Sequence, residues 1–277
     1  MGDIILLNDL DGGTFYELYA GGAGASLNLL LSNVCSKVVL NDIDYHIYAF
    51  WHCVLSCTEQ LIKLISDTEV NIENWKIQNE IYRNFDKHNI LEVGFSTFFL
   101  NRSNRSGILY KAGPIGGREQ MGKYKIDVRF NKINLIKRIE KIARLKDKIE
   151  LHNTESIEIL STIFEDNASN KFIFLDPPYY EQGKHLYLSF YEDADHVTLR
   201  NILEDNRTAH WFLTYDNCQR INDLYRGFKR SYVTTSYTLQ EKRKSKEVMV
   251  FSDSIYLPKQ FRIKSKTQKF SVVEPSK

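Results

Sequence analysis

Cysteine is scarce: only Cys35, Cys53, Cys57 and Cys218 occur in 277 residues, at irregular spacing. That pattern excludes a secreted disulfide framework and predicts reduced thiols. Long hydrophobic runs are missing too. No stretch approaches the roughly 20 apolar residues of a membrane span, so no membrane partner is expected. The N-terminus offers acidic Asp3 and one short apolar run, unlike a secretory leader. Met1-Gly2 lacks the later Ser or Thr of a myristoylation site. Internal repeats and low-complexity tracts are absent. With 43% hydrophobic and 26% charged residues, the composition excludes disorder, collagen and coiled coil. Excess charge is lacking as well, the formal net charge being +2. The expectation is a cytoplasmic protein of one or two domains, long enough to bury its own core.

The charge is nevertheless unevenly spread. Residues 101–148 hold fourteen Lys and Arg against four acids, a local +10, which leaves −8 for the rest. Such asymmetry is the footprint of a polyanion-binding surface on a mildly acidic body. A pair of solvated helix faces would give the same count. A second basic stretch at 259–269, beyond Pro258, has little apolar content and is expected to be a tail, mobile or folding only on a partner.

What the chain does contain is a regular alternation. Residues 14–19 alternate β-formers, 20–24 turn on glycines, and an apolar helical stretch follows from Ser26. Residues 37–40 read as a short buried strand. Residues 44 to about 66 fit a helix capped by Asp44. From 67 to 128 the pattern breaks into short polar and aromatic pieces, with glycines 107, 113, 116, 117 and 122 in one loop-rich stretch. Helical spacing returns at Ile133, Ile136, Ile139, Ile142 and Leu145. Strands are predicted at 149–152, 171–175, 210–215, 229–238 and 247–252, and helices near 155–164 and 194–204. The alternation predicts an α/β domain with a largely parallel sheet and an inserted module.

Two motifs carry chemistry. The first is the turn Tyr19-Ala20-Gly21-Gly22-Ala23-Gly24 between a strand and a helix, where glycines let backbone N–H groups approach a ligand. Asp42 ends the next strand, eighteen positions after Gly24, where an acid can accept hydrogen bonds from a ribose diol. The turn is not a G-x-G-x-x-G fingerprint, and a tight turn with a surface Asp would read alike. The second motif is Asp176-Pro177-Pro178-Tyr179 at the carboxyl end of the buried 172–175 strand. Successive prolines fix φ and remove two donors. A carboxylate, a bare carbonyl and a ring are thereby held in a fixed fan that suits a planar base with an exocyclic amine. Asp176 and the Pro177 carbonyl would accept its two N–H bonds, and Tyr179 would stack on its face. A rigid proline turn with a capping Asp is the plainer account.

Taken together and in this order, these residues resemble the Dam-type adenine-specific DNA methyltransferases. The likeness spans about residues 14 to 253. It implies a Rossmann-like methyltransferase core with a mixed, largely parallel sheet and an inserted, mainly helical target-recognition module. The implied division is a catalytic core at 1–55 and 131–257, the insert at 56–130 and a basic tail at 258–277. The implied cofactor is S-adenosylmethionine, bound by Tyr19, Ala20, Gly21, Gly22, Asp42, Glu155 and Asp176, with Asp176, Pro177, Pro178 and Tyr179 catalytic. The stretch from Asn101 to Gly107 resembles a region of the family's insert, and Asp127 to Ile139 resembles its Arg-Phe-Asn exit. The residues implied for DNA contact are Arg102, Asn104, Arg105, Lys123, Arg129, Asn131 and Lys132. Thr214-Tyr215-Asp216-Asn217 and Lys242-Arg243-Lys244 resemble later strands. One departure stands out: the family's Arg-Tyr-Pro-Gly-Gly-Lys-like opening has no counterpart in residues 1–13, which predicts a weaker hold on the methionine end of the cofactor.

His46, His52, Cys53 and Cys57 lie close together but lack a second ligand cluster, so no metal is expected. Tyr187, Phe190 and Tyr191 could wall a base pocket or pack a core. The functional expectation is methyl transfer to the exocyclic amine of adenine in double-stranded DNA, in a modification or defence role, with a restriction endonuclease or another subunit as partner. An RNA adenine methyltransferase and a catalytically weak DNA-binding subunit are the competing expectations.

Overall fold

A computed structural model describes residues 1–166, 170–181, 191–239, 241–263, 266–269, 272–273 and 275. The chain first forms α1 (Gly2–Leu7), β1 (Thr14–Glu17), α2 (Gly24–Leu31) and β2 (Lys37–Asn41). A helical stretch follows, with α3 (Tyr45–Ser56), α4 (Thr58–Asp67), α5 (Ile72–Arg83), α6 (Ile90–Ser103) and α7 (Lys132–Ala143). Then come β3 (Ile149–His152), α8 (Ser156–Glu165), β4 (Lys171–Leu175), α9 (Asp193–Asp205), β5 (Trp211–Asp216) and α10 (Gln219–Leu224). Last are β6 (Lys229–Leu239), β7 (Glu241–Phe251), β8 (Gln260–Ile263), β9 (Lys266–Lys269) and β10 (Val272–Val273). The elements divide into two compact units, Met1–Asn41 with Thr154–Lys277, and Asp42–Asn153.

The first unit is built on a sheet in the order β10-β6-β7-β5-β4-β1-β2. Strands β2, β1, β4 and β5 are parallel, whereas β7 pairs antiparallel with β5 and β6. This is the mixed, largely parallel sheet of a Rossmann-like α/β core, as the resemblance implies. Strand β5 is buried along nearly its whole length, as expected of a strand covered on both faces. The two faces differ in kind. On one, Phe15, Phe174, Phe212 and Phe251 stack in a ladder across four strands, with ring centroids 6.4, 5.3 and 5.0 Å apart. Each such pair adds about 0.5–1.5 kcal/mol beyond area burial. On the other, Ile173, Leu175 and Leu213 pack with Leu160 of α8 and with Leu199 and Leu203 of α9. Because the chain leaves β1 toward β2 on one side while β4 lies on the other, the carboxyl ends of β1 and β4 form the topological switch point, the usual ligand crevice of such sheets.

The second unit is mainly helical. Asp44 caps α3 by accepting from the His46 N–H at 2.9 Å, as the sequence predicts. The helix expected to run to about 66 divides at Cys57, where Thr58 Oγ1 donates back to the Val54 carbonyl at 2.8 Å. Helices α5 and α6 occupy a stretch where periodicity gives only short pieces, although the resemblance implies a mainly helical insert. The buried stripe of α5 is Trp75, Gln78 and Tyr82, so a polar residue masks its period. Helix α6 is buried from Val93 through Leu100 and shows no polar face to give it one. Both start on asparagine caps, Asn71 on the Asn74 N–H, and Asn89 in a reciprocal box with Glu92. Gly94 lets α6 meet α3: a Cβ there would lie 2.5 Å from Cys53 Sγ and 2.6 Å from the Ala49 carbonyl oxygen. Lys132 Nζ, at the start of α7, donates to the Ser66 and Thr68 carbonyls at 2.7 and 2.8 Å and closes the end of α4. These contacts draw α3 and α7 into the helical unit, which is therefore wider than the expected 56–130 insert. In the segment expected as a tail, β8 pairs with β9, and β10 pairs with β6.

Candidate active site

In the first unit the register places the two motifs side by side. Glu17 stands opposite Phe174, so two residues further on Tyr19 is level with Asp176. On the other side Leu175 pairs with Leu213, which brings Asp176 level with Thr214. The turn after β1 is tight: the Ala20 N–H donates to the Asn41 carbonyl at 2.9 Å, and the Ala23 N–H to the Ala20 carbonyl at 2.6 Å. Gly21 takes φ +47 and Ala23 φ +48. A Cβ added at Gly21, Gly22 or Gly24 would meet nothing within 4 Å, so packing does not demand glycine there and the turn's backbone faces open space. Tyr19 Oη and Tyr191 Oη lie 2.7 Å apart, and burial pushes both phenols up.

Asn41, fully buried, ties this turn to the segment before α8. Its amide nitrogen donates to the Leu18 and Thr154 carbonyls and to Ser156 Oγ, and its oxygen accepts the Thr154 N–H at 3.1 Å. Glu155, between those partners, is exposed at the first position before α8 and makes no side-chain cap. Asp42 is the next residue along from Asn41, and its Oδ1 accepts the Asp44 N–H at 3.0 Å.

Asp176 Oδ1 accepts from Thr214 Oγ1 at 2.5 Å. The carboxylate keeps open surface at the strand end but is crowded by protein on its other sides. That loss of solvent outweighs the Thr214 hydrogen bond and, with a small push from Glu247, raises the carboxyl to about 6. Pro177 is buried, and Pro178 and Tyr179 are half-buried. Just beyond, the Tyr180 and Glu181 N–H groups donate to the two oxygens of the buried Asp216 carboxylate, each at 2.9 Å. Tyr187 and Phe190 lie outside the described residues.

Sequence reasoning missed one acid. Glu17, nine-tenths or more buried, accepts the Ser26 N–H at the start of α2 at 2.9 Å, and burial raises its pKa. The available signal was a carboxylate inside an otherwise apolar strand just before a glycine turn.

The residues expected to contact DNA separate sharply within the second unit. Arg105 and Lys123 are exposed, and Arg102 and Arg129 are half-buried. Arg102 donates to Asn101 Oδ1 at 2.7 Å, and burial plus the charges of Arg129 and Arg138 lower its pKa. Among the described residues no carboxylate pairs with these four cations. Asn104 is different: fully buried, it accepts from Trp75 Nε1 at 2.7 Å and donates to the Ile108 carbonyl at 2.8 Å, so its amide holds the loop. Lys132 is committed to the end of α4, and Asn131 caps α7 through the Asn134 N–H at 3.0 Å. Of the clustered His46, His52, Cys53 and Cys57, His46 bridges Asp44 and the Tyr82 carbonyl, and Cys53 Sγ meets the Ile90 carbonyl.

A glycine turn and an Asp-Pro-Pro-Tyr corner stand at neighbouring strand ends, the pairing that the resemblance to adenine-specific methyltransferases implies. Residues 5–239 match the model of the D12 class N6 adenine-specific DNA methyltransferases, and the chain belongs to that family. It is a DNA adenine methyltransferase by that membership. The chain is 27% identical over 229 residues to the type II methyltransferase M.CviBI of Paramecium bursaria Chlorella virus NC1A, covering 82% of this chain and 80% of that one. Among solved structures, the rRNA methyltransferase AviRa of Streptomyces viridochromogenes is 11% identical with a TM-score of 0.34, covering 88% of this chain and 78% of that one. A conserved hypothetical protein of Streptococcus pyogenes is 10% identical with a TM-score of 0.33, covering 89% and 90%. No described helix is long and apolar enough to cross a membrane.

Proposed function

We propose that the chain uses S-adenosylmethionine to methylate the exocyclic amine of adenine in duplex DNA, with the first unit as the site of chemistry. The observation that carries this reading is the register that sets Asp176 level with Tyr19, beside a glycine turn whose backbone faces open space. That turn fits the cofactor: Gly21 and Gly22 put no side chain over its backbone, the buried Ala20 leads into them, and Tyr19 and Glu155 of the same unit offer the polar partners a nucleoside needs. When bound, S-adenosylmethionine supplies an electrophilic methyl group. The chain's own part is to orient and to handle a proton. With Oδ1 engaged by Thr214, Asp176 Oδ2 and the Pro177 carbonyl accept the two N–H bonds of the amine, and Tyr179 covers the base face. Holding both N–H bonds leaves the nitrogen lone pair directed out of the base plane for attack. Asp176, ionised at neutral pH, then accepts the proton the nitrogen sheds.

Arg102, Arg105, Lys123 and Arg129 supply phosphate contacts, which offset the few kcal/mol needed to unstack the target base. Asn104, Asn131 and Lys132 serve the helical unit instead. The type II relative supports a role as the modification partner of a restriction endonuclease. Incubating the chain with methyl-labelled S-adenosylmethionine and either duplex DNA or duplex RNA tests the reading. Label is expected in DNA adenine; label confined to RNA, or in neither, would overturn it.

A further inference from the structure

Thr214 and Asp216 stand two residues apart on β5 and therefore on one face of the strand. Each meets a different end of the Asp176–Tyr179 corner. Thr214 Oγ1 donates to Asp176 Oδ1 at 2.5 Å and also lies 3.4 Å from the Leu175 carbonyl, at the point where β4 ends. Asp216 is only 4% exposed, and its two oxygens each accept one backbone N–H, from Tyr180 and Glu181, at 2.9 Å. The prolines between remove two backbone donors, so the corner cannot be held by a strand ladder and needs anchors from outside it.

We propose that Thr214 and Asp216 are positioning residues, a two-point clamp on β5 that fixes the Asp176 carboxylate at one end of the corner and the peptides following Tyr179 at the other. A carboxylate is required at 216 because both of its oxygens face donors. An amide there would turn an NH₂ group toward an N–H and leave one donor unpaired. At 214 a hydroxyl is required because Asp176 needs one oxygen engaged to present the other in a defined direction. The inference rests on the adenine-methylating reading given above, since it assigns the clamp to that reaction.

The test compares Thr214→Val, Thr214→Ser and Asp216→Asn in the full chain, with kcat and the KM values for DNA and S-adenosylmethionine measured separately. Thr214→Val should lower kcat at least tenfold while both KM values stay within threefold. Thr214→Ser, which restores the hydroxyl, should return kcat to within threefold of wild type. Asp216→Asn should lower kcat at least tenfold and speed hydrogen exchange at the Tyr180 and Glu181 amides. If Asp216→Asn does not fold, the nearly isosteric Thr214 pair decides. An active wild type whose folded variants keep kcat within threefold would overturn the clamp alone. A wild type that transfers no methyl group to DNA would overturn the functional reading and the clamp with it.

Discussion

Lowering the pH should silence this enzyme well above the range where an ordinary aspartate titrates. The group concerned is Asp176, whose carboxyl is raised from 3.8 to about 6 by crowding at the end of β4. Glu247 adds to the rise and the Thr214 hydrogen bond opposes it, while Asp176 in turn raises the pKa of the nearby buried Glu17. Only the carboxylate can accept both an amine N–H and the released proton. With a pKa of about 6, roughly nine-tenths of the molecules are competent at pH 7 and roughly one-tenth at pH 5. The rate at limiting substrate should therefore fall about tenfold between pH 7 and 5, whereas a carboxyl at 3.8 would lose only about one-twentieth of its activity. Stability moves the other way. A carboxyl whose folded pKa is raised weakens the fold above about 6, and that penalty fades as pH falls through 6 toward the unfolded value. Acid should thus stop the chemistry before it harms this part of the fold. The assay is kcat/KM across pH 4.5 to 8, with Thr214→Val alongside, since loss of its hydrogen bond should move the midpoint upward. A flat profile down to pH 5 would refute the environment assigned to Asp176.

Three further outcomes follow from other parts of the molecule. Gly94→Ala drives a methyl group against the Ala49 backbone, which cannot yield as a side chain would, and should destabilise the protein by about 1–3 kcal/mol in thermal or denaturant melts. Replacing Arg105 and Lys123 with Ala should flatten the slope of log affinity against log salt by about 0.9 for each phosphate no longer neutralised, and an unchanged slope would move the DNA surface elsewhere. Lys132→Ala should leave that slope alone and cost about 0.3–1 kcal/mol of stability, because its ammonium closes α4.

Much of the first unit was legible because its signals are local. Strand β4 is apolar from Phe172 to Leu175 and leads into Asp-Pro-Pro-Tyr, and the glycine turn sits between a β-rich and a helical stretch. The helical unit was read poorly for identifiable reasons. Gln78 sits in the buried stripe of α5, and α6 is buried all round, so neither displays the period that marks a surface helix. The Asn71 cap and the Asn89 to Glu92 capping box are the local cues to these two helices. Side-chain assignments failed where chemistry and burial diverge: nothing local distinguishes Asn104, sealed against Trp75, from the exposed Arg105 beside it. Thr214 and Asp216 were visible only as part of a motif, because their work depends on β5 lying next to β4.

Asp176 is proposed to direct methyl transfer to the adenine amine. Mass spectrometry of nucleosides digested from duplex DNA, after treatment with wild type or Asp176→Ala, addresses it most directly. N6-methyldeoxyadenosine should form with the wild type and fall at least about a hundredfold in the variant, while the fold and DNA affinity stay nearly intact. A variant that retains activity within about tenfold, a barrier change of at most about 1.4 kcal/mol, would contradict the claim.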